Sequence, residues 1–171
     1  MSAIYVCSLA RLGETVRRSS ARHILTLINS GTLVVRPPEV EAANHLFVGI
    51  NDICDPLDGM ICPEDNHVGE VLDFARKWDR AEPMVVHCFA GISRSTAGAY
   101  AAFCALRPDL DEAEVAQRLR QRSPAATPNS RIVAIADRLL GREGRMSAAV
   151  AAIGRGGDAY EGQVFSLRLD E

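Results

Sequence analysis

Apolar positions follow two rhythms along the chain. Residues 4–9, 23–28 and 45–50 are short, dense runs of strand length, while longer segments space their apolar residues three and four apart. Val68, Val71, Leu72 and Ala75 show the second rhythm most clearly and predict a core-facing helix. Pro63-Glu64-Asp65 reads as the start of that helix, with proline at its first position and acids beside the positive end of its dipole. Met84-Val85-Val86 is a short apolar strand that runs straight into His87-Cys88. An alanine-rich helix follows Arg94 and ends at Pro108. Residues 10–18, 111–122, 129–140 and 146–153 read as further helices, the last two stopped by Gly141 and Gly154. Asn29-Ser30-Gly31 is a turn, residues 32–35 read as a further strand before Pro37-Pro38, and residues 51–62 form a loop. Strands alternate with helices, so the expected fold is α/β, a central mostly parallel sheet flanked by helices.

A length of 171 residues fits one domain, expected over 1–154, with 155–171 as a glycine-rich tail that reads as loose. The composition, 47% apolar and 24% charged, supports a real core. A net charge of −3 supplies no global pull on nucleic acid or an acidic membrane, so neither is an expected partner. Residues 97–106 are the longest uncharged apolar stretch, about half of a bilayer span, and read as a buried helix. No basic flank precedes a long apolar run in residues 1–10, so no secretory signal is expected. The five cysteines contain no CxxC pair, which argues against a disulfide framework and a structural zinc site. The expectation is a cytoplasmic protein with no metal and no cofactor.

The chemistry is concentrated where the strand ending at Cys88 gives way to a helix beginning at Arg94. A five-residue loop containing Gly91 can curl so that successive backbone N–H groups point at one centre, and such a nest binds an anion. The helix N-terminus behind it adds partial positive charge. Arg94 contributes a planar fork that fits two phosphate oxygens at once. A cysteine thiol in such a field loses its proton more readily, so the loop is both an oxyanion receptor and an activated nucleophile.

The run Val85-Val86-His87-Cys88-Phe89-Ala90-Gly91-Ile92-Ser93-Arg94-Ser95 resembles the phosphate-binding loop of the protein tyrosine phosphatase superfamily, most of all its compact, dual-specificity-like bacterial branch. The resemblance spans roughly residues 45–140. It implies a phospho-cysteine intermediate at Cys88, phosphate held by Arg94 and the backbone of Phe89, Ala90, Gly91, Ile92 and Ser93, a hydroxyl at Ser95 that stabilises the thiolate, and a supporting role for His87. It also places the general acid just after the preceding strand, in Asn51-Asp52-Ile53-Cys54-Asp55-Pro56-Leu57-Asp58-Gly59. Asp52 ranks first, Asp55 second and Asp58 third; ordinary loop aspartates cap turns, and only the cysteine loop lifts Asp52 above that baseline. Pro128-Asn129 resembles the turn that supports the loop in this family.

The expected activity is therefore hydrolysis of phosphate monoesters on a phosphorylated protein or peptide. The uncharged residues 89–93 favour a single phosphoester, phosphotyrosine ahead of phosphoserine or phosphothreonine. Two alternatives use the same kind of loop: a catalytically weak phosphate-binding module, and a sulfurtransferase or arsenate reductase. The absence of an early partner cysteine at short spacing argues against the latter pair. Cys54 and Cys62 read as small apolar filler ahead of redox partners of Cys88. Arg11, Arg17, Arg18 and Arg22 read as a solvated face, and Trp78 and His67 as structural.

Overall fold

The computed structural model describes residues 2–171. Its centre is a five-stranded sheet in the order β3-β2-β4-β1-β5, built from β1 (Ala3–Ser8), β2 (His23–Ile28), β3 (His45–Gly49), β4 (Met84–Cys88) and β5 (Phe165–Arg168). β1 and β2 flank β4 in parallel, β3 pairs in parallel with β2, and β5 runs antiparallel to β1. The sheet is thus parallel but for one edge. The helices are α1 (Leu12–Ser19), α2 (Asp65–Lys77), α3 (Arg94–Leu106), α4 (Glu112–Arg122), α5 (Ser130–Leu139) and α6 (Arg145–Ile153).

Side chains alternate across the strands and so build two cores. Ile4, Val6, Leu25, Leu27, Met84 and Val86 face the larger one, beneath α2–α6. Cys7, Ile24 and Val85 face the smaller one, covered by Leu12 and Val16 of α1 and by Val40. Both faces of β4 are therefore buried, as its unbroken apolar run demands. Gly98 lets α3 lie close on the sheet, since a Cβ there would stand 2.4 Å from Leu27 Cδ1.

Three local expectations are corrected. Residues 32–35 form no strand, and Leu33 and Val35 are exposed. β2 and β3 are parallel neighbours, so the chain between them must travel back along the sheet and is used up as a crossover. Pro63 lies outside α2, which begins after Glu64; the Glu64 N–H donates to His67 Nδ1 and closes the helix start in place of proline. The segment 155–171 is ordered where its glycines suggested a loose tail. It supplies β5, whose Phe165 and Leu167, with the following Leu169, enter the larger core. Before β5 the segment crosses the end of the sheet that carries Cys88.

Candidate active site

Cys88 ends β4 at the carboxyl edge of the sheet, beside Ser8 at the end of β1. The loop that follows is held by its carbonyls. The Phe89 carbonyl accepts from Leu9 N–H at 3.1 Å, that of Ala90 from Gly162 N–H at 2.8 Å, that of Ile92 from Thr127 N–H at 3.0 Å and that of Ser93 from Asn129 N–H at 3.2 Å. Those four carbonyls are tied to surrounding segments. Gly91 N–H already donates to Cys88 Sγ at 3.3 Å.

Gly91 makes the curl possible. Its φ is +74°, and a Cβ there would stand 2.8 Å from the carbonyl carbon of Cys7 and the nitrogen of Ser8. Gly91→Ala is therefore strained both by dihedral and by collision with backbone. It is expected to cost about 1–3 kcal/mol and to lower the thermal midpoint by roughly 3–10 °C. Calorimetric unfolding, with vanadate titration of the surviving fold, checks this; wild-type values for both would show that the loop does not need its curl.

α3 begins at Arg94, and Ser93 in front of it makes no side-chain cap. Its hydroxyl is turned away to donate to Asp52 Oδ1 at 2.8 Å. The positive end of α3 is left for an anion, not consumed by its own N-cap. Arg94 is only 7% exposed. Its Nη1 donates to Asn29 Oδ1 at 2.6 Å and to the Ile50 carbonyl at 2.8 Å, which fixes the guanidinium plane. Its Nε has no protein partner, and no carboxylate pairs with Arg94 among the described residues. A buried guanidinium clamped along one edge presents the other to an oxyanion. Asn29, read in the sequence only as a turn residue, is the clamp.

Ser95 Oγ lies 3.1 Å from Cys88 Sγ, placing its hydroxyl within reach of the sulfur from the first turn of α3. Burial pushes the Cys7 and Cys104 thiols up to about 12, so they remain protonated filler. All five cysteines are free; Cys54 is exposed, with its Sγ 3.2 Å from Ser130 Oγ, and Cys62 is buried.

His87 is buried in the sheet and anchors the loop from behind. Its Nδ1 lies 3.2 Å from the Cys88 carbonyl, which can only accept, so Nδ1 carries the proton. Burial lowers its pKa to about 4, so the ring is neutral and Nε2 is an acceptor. Thr26 Oγ1, 2.7 Å from that nitrogen, must then donate to it, and in turn accepts from His45 Nε2 at 2.7 Å. The chain His45–Thr26–His87 thus crosses three strands and ends on the backbone of Cys88. Sequence reading found His87 and missed the other two, whose signal was polar residues inside otherwise apolar strands.

Of the three candidate acids, the structure brings Asp52 to the loop. Its Oδ1 accepts from Ser93 Oγ and from Asn129 Nδ2, the latter at 2.9 Å. Oδ2 takes no hydrogen bond from the described residues. Asp55 and Asp58, exposed like Asp52, take no such hydrogen bond from Ser93 or Asn129. Asn129 joins three parts: its Oδ1 caps α5 through Arg131 and Ile132 N–H, its Nδ2 holds Asp52 and the Ile53 carbonyl, and its own N–H holds Ser93. Asp52, Ile92, Ser93 and Thr127 share a cleft of about 610 Å³ with Arg155, Asp158 and Tyr160 of the C-terminal segment.

The model of the protein-tyrosine phosphatase family matches residues 58–132, a span that includes the cysteine loop and α3. Solved structures agree over most of the chain. DUSP15 superposes with a TM-score of 0.63 at 19% identity, covering 93% of this chain and 96% of its own. Human DUSP28 gives 0.62 at 19% identity, covering 81% and 94%. The fold is that of the protein tyrosine phosphatase superfamily. PTPMT1, solved in complex with PI(5)P, also has this superfamily fold, with a TM-score of 0.60 at 14% identity over 88% of this chain and 93% of its own. No curated protein matches the sequence. Among the described residues, no helix is long and apolar enough to cross a membrane.

Proposed function

We propose that the protein hydrolyses phosphate monoesters on proteins, phosphotyrosine above all, through a phospho-cysteine at Cys88. The observation that carries this reading is the tying of the loop carbonyls to surrounding segments, together with the Gly91 N–H on the sulfur and the half-clamped guanidinium of Arg94, from which we infer a ring of donors around one sulfur. The phosphoryl group binds in that ring. Cys88 Sγ attacks phosphorus, the S–P bond forms, and the bond to the leaving oxygen breaks as Asp52 delivers its proton to that oxygen. Asp52, now a carboxylate, takes a proton from water as the water attacks phosphorus. The S–P bond breaks, the hydroxyl of Ser95 donates to the returning thiolate, and inorganic phosphate leaves. Arg94 and the backbone donors carry the charge of the transferring group throughout.

Two features support phosphotyrosine. Residues 89–93 bring no cation to meet a second phosphate, which sets this loop apart from what a polyphosphorylated headgroup requires. The cleft beside Asp52 is roomy enough for an aryl leaving group. The test uses matched phosphotyrosine and phosphoserine peptides in excess chelator, with rapid denaturing quench. Phosphate release should persist without divalent ions, kcat/KM should favour phosphotyrosine by at least about tenfold, and label should be trapped on Cys88. Activity that disappears on chelation and returns with a divalent ion would overturn the mechanism, while sulfur transfer from thiosulfate in place of phosphate release would favour the sulfurtransferase alternative.

A further inference from the structure

The segment between α6 and β5 is pinned at both ends and exposed between. At one end Gly156 N–H donates to Thr127 Oγ1 at 3.0 Å and Gly157 N–H to the Pro124 carbonyl at 3.0 Å. Gly156 is pressed so tightly there that a Cβ would stand 2.5 Å from the Ala125 carbonyl. At the other end Ser8 Oγ donates to Glu161 Oε1 at 2.6 Å, and Gly162 N–H donates to the Ala90 carbonyl at 2.8 Å. A Cβ on Gly162 would meet the Gly91 carbonyl oxygen at 2.7 Å. The segment therefore packs on the cysteine loop itself.

Between the anchors, Tyr160 is fully exposed. It borders two depressions on either side of the loop: the cleft shared with Asp52, Ile92 and Ser93, and a recess of about 400 Å³ shared with Phe89 and Ala90. A full-size aromatic ring in water gains nothing from burial within the chain, and its backbone is held within two residues of a loop contact. That is the placement of a preorganised contact for something bound.

The reaction says what that is. Asp52 must reach the leaving oxygen, so the leaving group lies in the cleft that Asp52 lines, and the C-terminal segment supplies another wall of that cleft. We propose that this segment is the substrate-recognition lip of the site and that Tyr160 is a specificity-determining residue, its ring packing against the aromatic ring of a phosphotyrosyl substrate. The inference rests on the phosphatase reading above and adds the origin of its substrate choice.

The test compares wild type, Tyr160→Ala and Tyr160→Phe in binding two probes by calorimetry: inorganic phosphate, and a peptide bearing a non-hydrolysable phosphonate analogue of phosphotyrosine. Tyr160→Ala should weaken the aryl phosphonate roughly five- to tenfold and leave inorganic phosphate within twofold, while Tyr160→Phe should keep both. In turnover, Tyr160→Ala should raise KM for the phosphotyrosine peptide with kcat nearly constant, and leave the phosphoserine peptide unchanged. Equal phosphonate affinity in wild type and Tyr160→Ala overturns the inference while leaving the phosphatase reading intact. A parallel loss of inorganic phosphate also overturns it, because the residue would then support the loop and not the ring. Failure of the wild type to bind either probe removes both readings.

Discussion

Cys88→Ser is expected to remove turnover by about four or more powers of ten while phosphate and vanadate binding stay within a few-fold of wild type. The two outcomes separate because the structure separates their causes. On the proposed reading the receptor is backbone N–H groups and Arg94, and the loop is held by carbonyls bonded to Leu9, Gly162, Thr127 and Asn129, none of which involves the sulfur. In the proposed mechanism the nucleophile is the sulfur alone. A serine oxygen at this position is a far weaker nucleophile at neutral pH and, once phosphorylated, a far poorer leaving group. Steady-state assay, rapid-quench search for phosphoenzyme, and calorimetric phosphate titration on one preparation give all three readings. Turnover within a hundredfold of wild type would rule out a covalent intermediate on Cys88. Loss of phosphate binding together with turnover would place the sulfur in the receptor.

Asp52→Asn should show a large and conditional loss. With phenyl phosphate or a phosphotyrosine peptide the departing oxygen is strongly basic and needs the proton, so kcat should fall by roughly two or more powers of ten. With an aryl phosphate whose phenol is strongly acidic, the leaving group departs unaided and the loss should be much smaller. KM should move little, because the carboxyl acts mainly in the transition state. The structure favours this substitution as a clean one. The amide oxygen of asparagine can take the place of Oδ1 and accept from Ser93 Oγ and Asn129 Nδ2, so the loop keeps its tether. Asp55→Asn is the control, since the hydrogen bonds from Ser93 and Asn129 go to Asp52 and not to Asp55. If Asp55→Asn carries the leaving-group dependence and Asp52→Asn does not, the acid is Asp55.

What the sequence made legible was local. A strand that runs into Cys88, a loop with Gly91 and a helix opening at Arg94 all lie within one short stretch, where pattern and spacing suffice. Asp52 and Asn129 came within reach through the family resemblance, which places one just after a strand and the other at the turn that opens a helix. The residues that escaped notice act across distance. Asn29 holds Arg94 from 65 positions away, and Thr26 reaches His87 across 61. The C-terminal segment was the largest omission. Phe165, Leu167 and Leu169 alternate as a strand should, but four residues are a weak signal beside a glycine-rich approach. The false strand at residues 32–35 has the complementary cause: its composition suits a strand, and only the parallel pairing of β2 with β3 shows that the chain has no freedom to pair there.

The contact between Gly162 and Ala90 also sets an order of assembly. During synthesis, β1, β4 and the cysteine loop emerge before the residues that tie the Ala90 carbonyl and cover the outer edge of β1. Until those residues arrive, β1 is an open sheet edge and the loop has one of its carbonyls unheld. Ser8 and Glu161 stand 153 positions apart and meet only once the chain between them has been made. A nascent chain that already contains Cys88, Arg94 and Asp52 therefore still lacks the Gly162–Ala90 tie and the β5 edge, and on the proposed reading its phosphate receptor is complete only once the closing strand is in place.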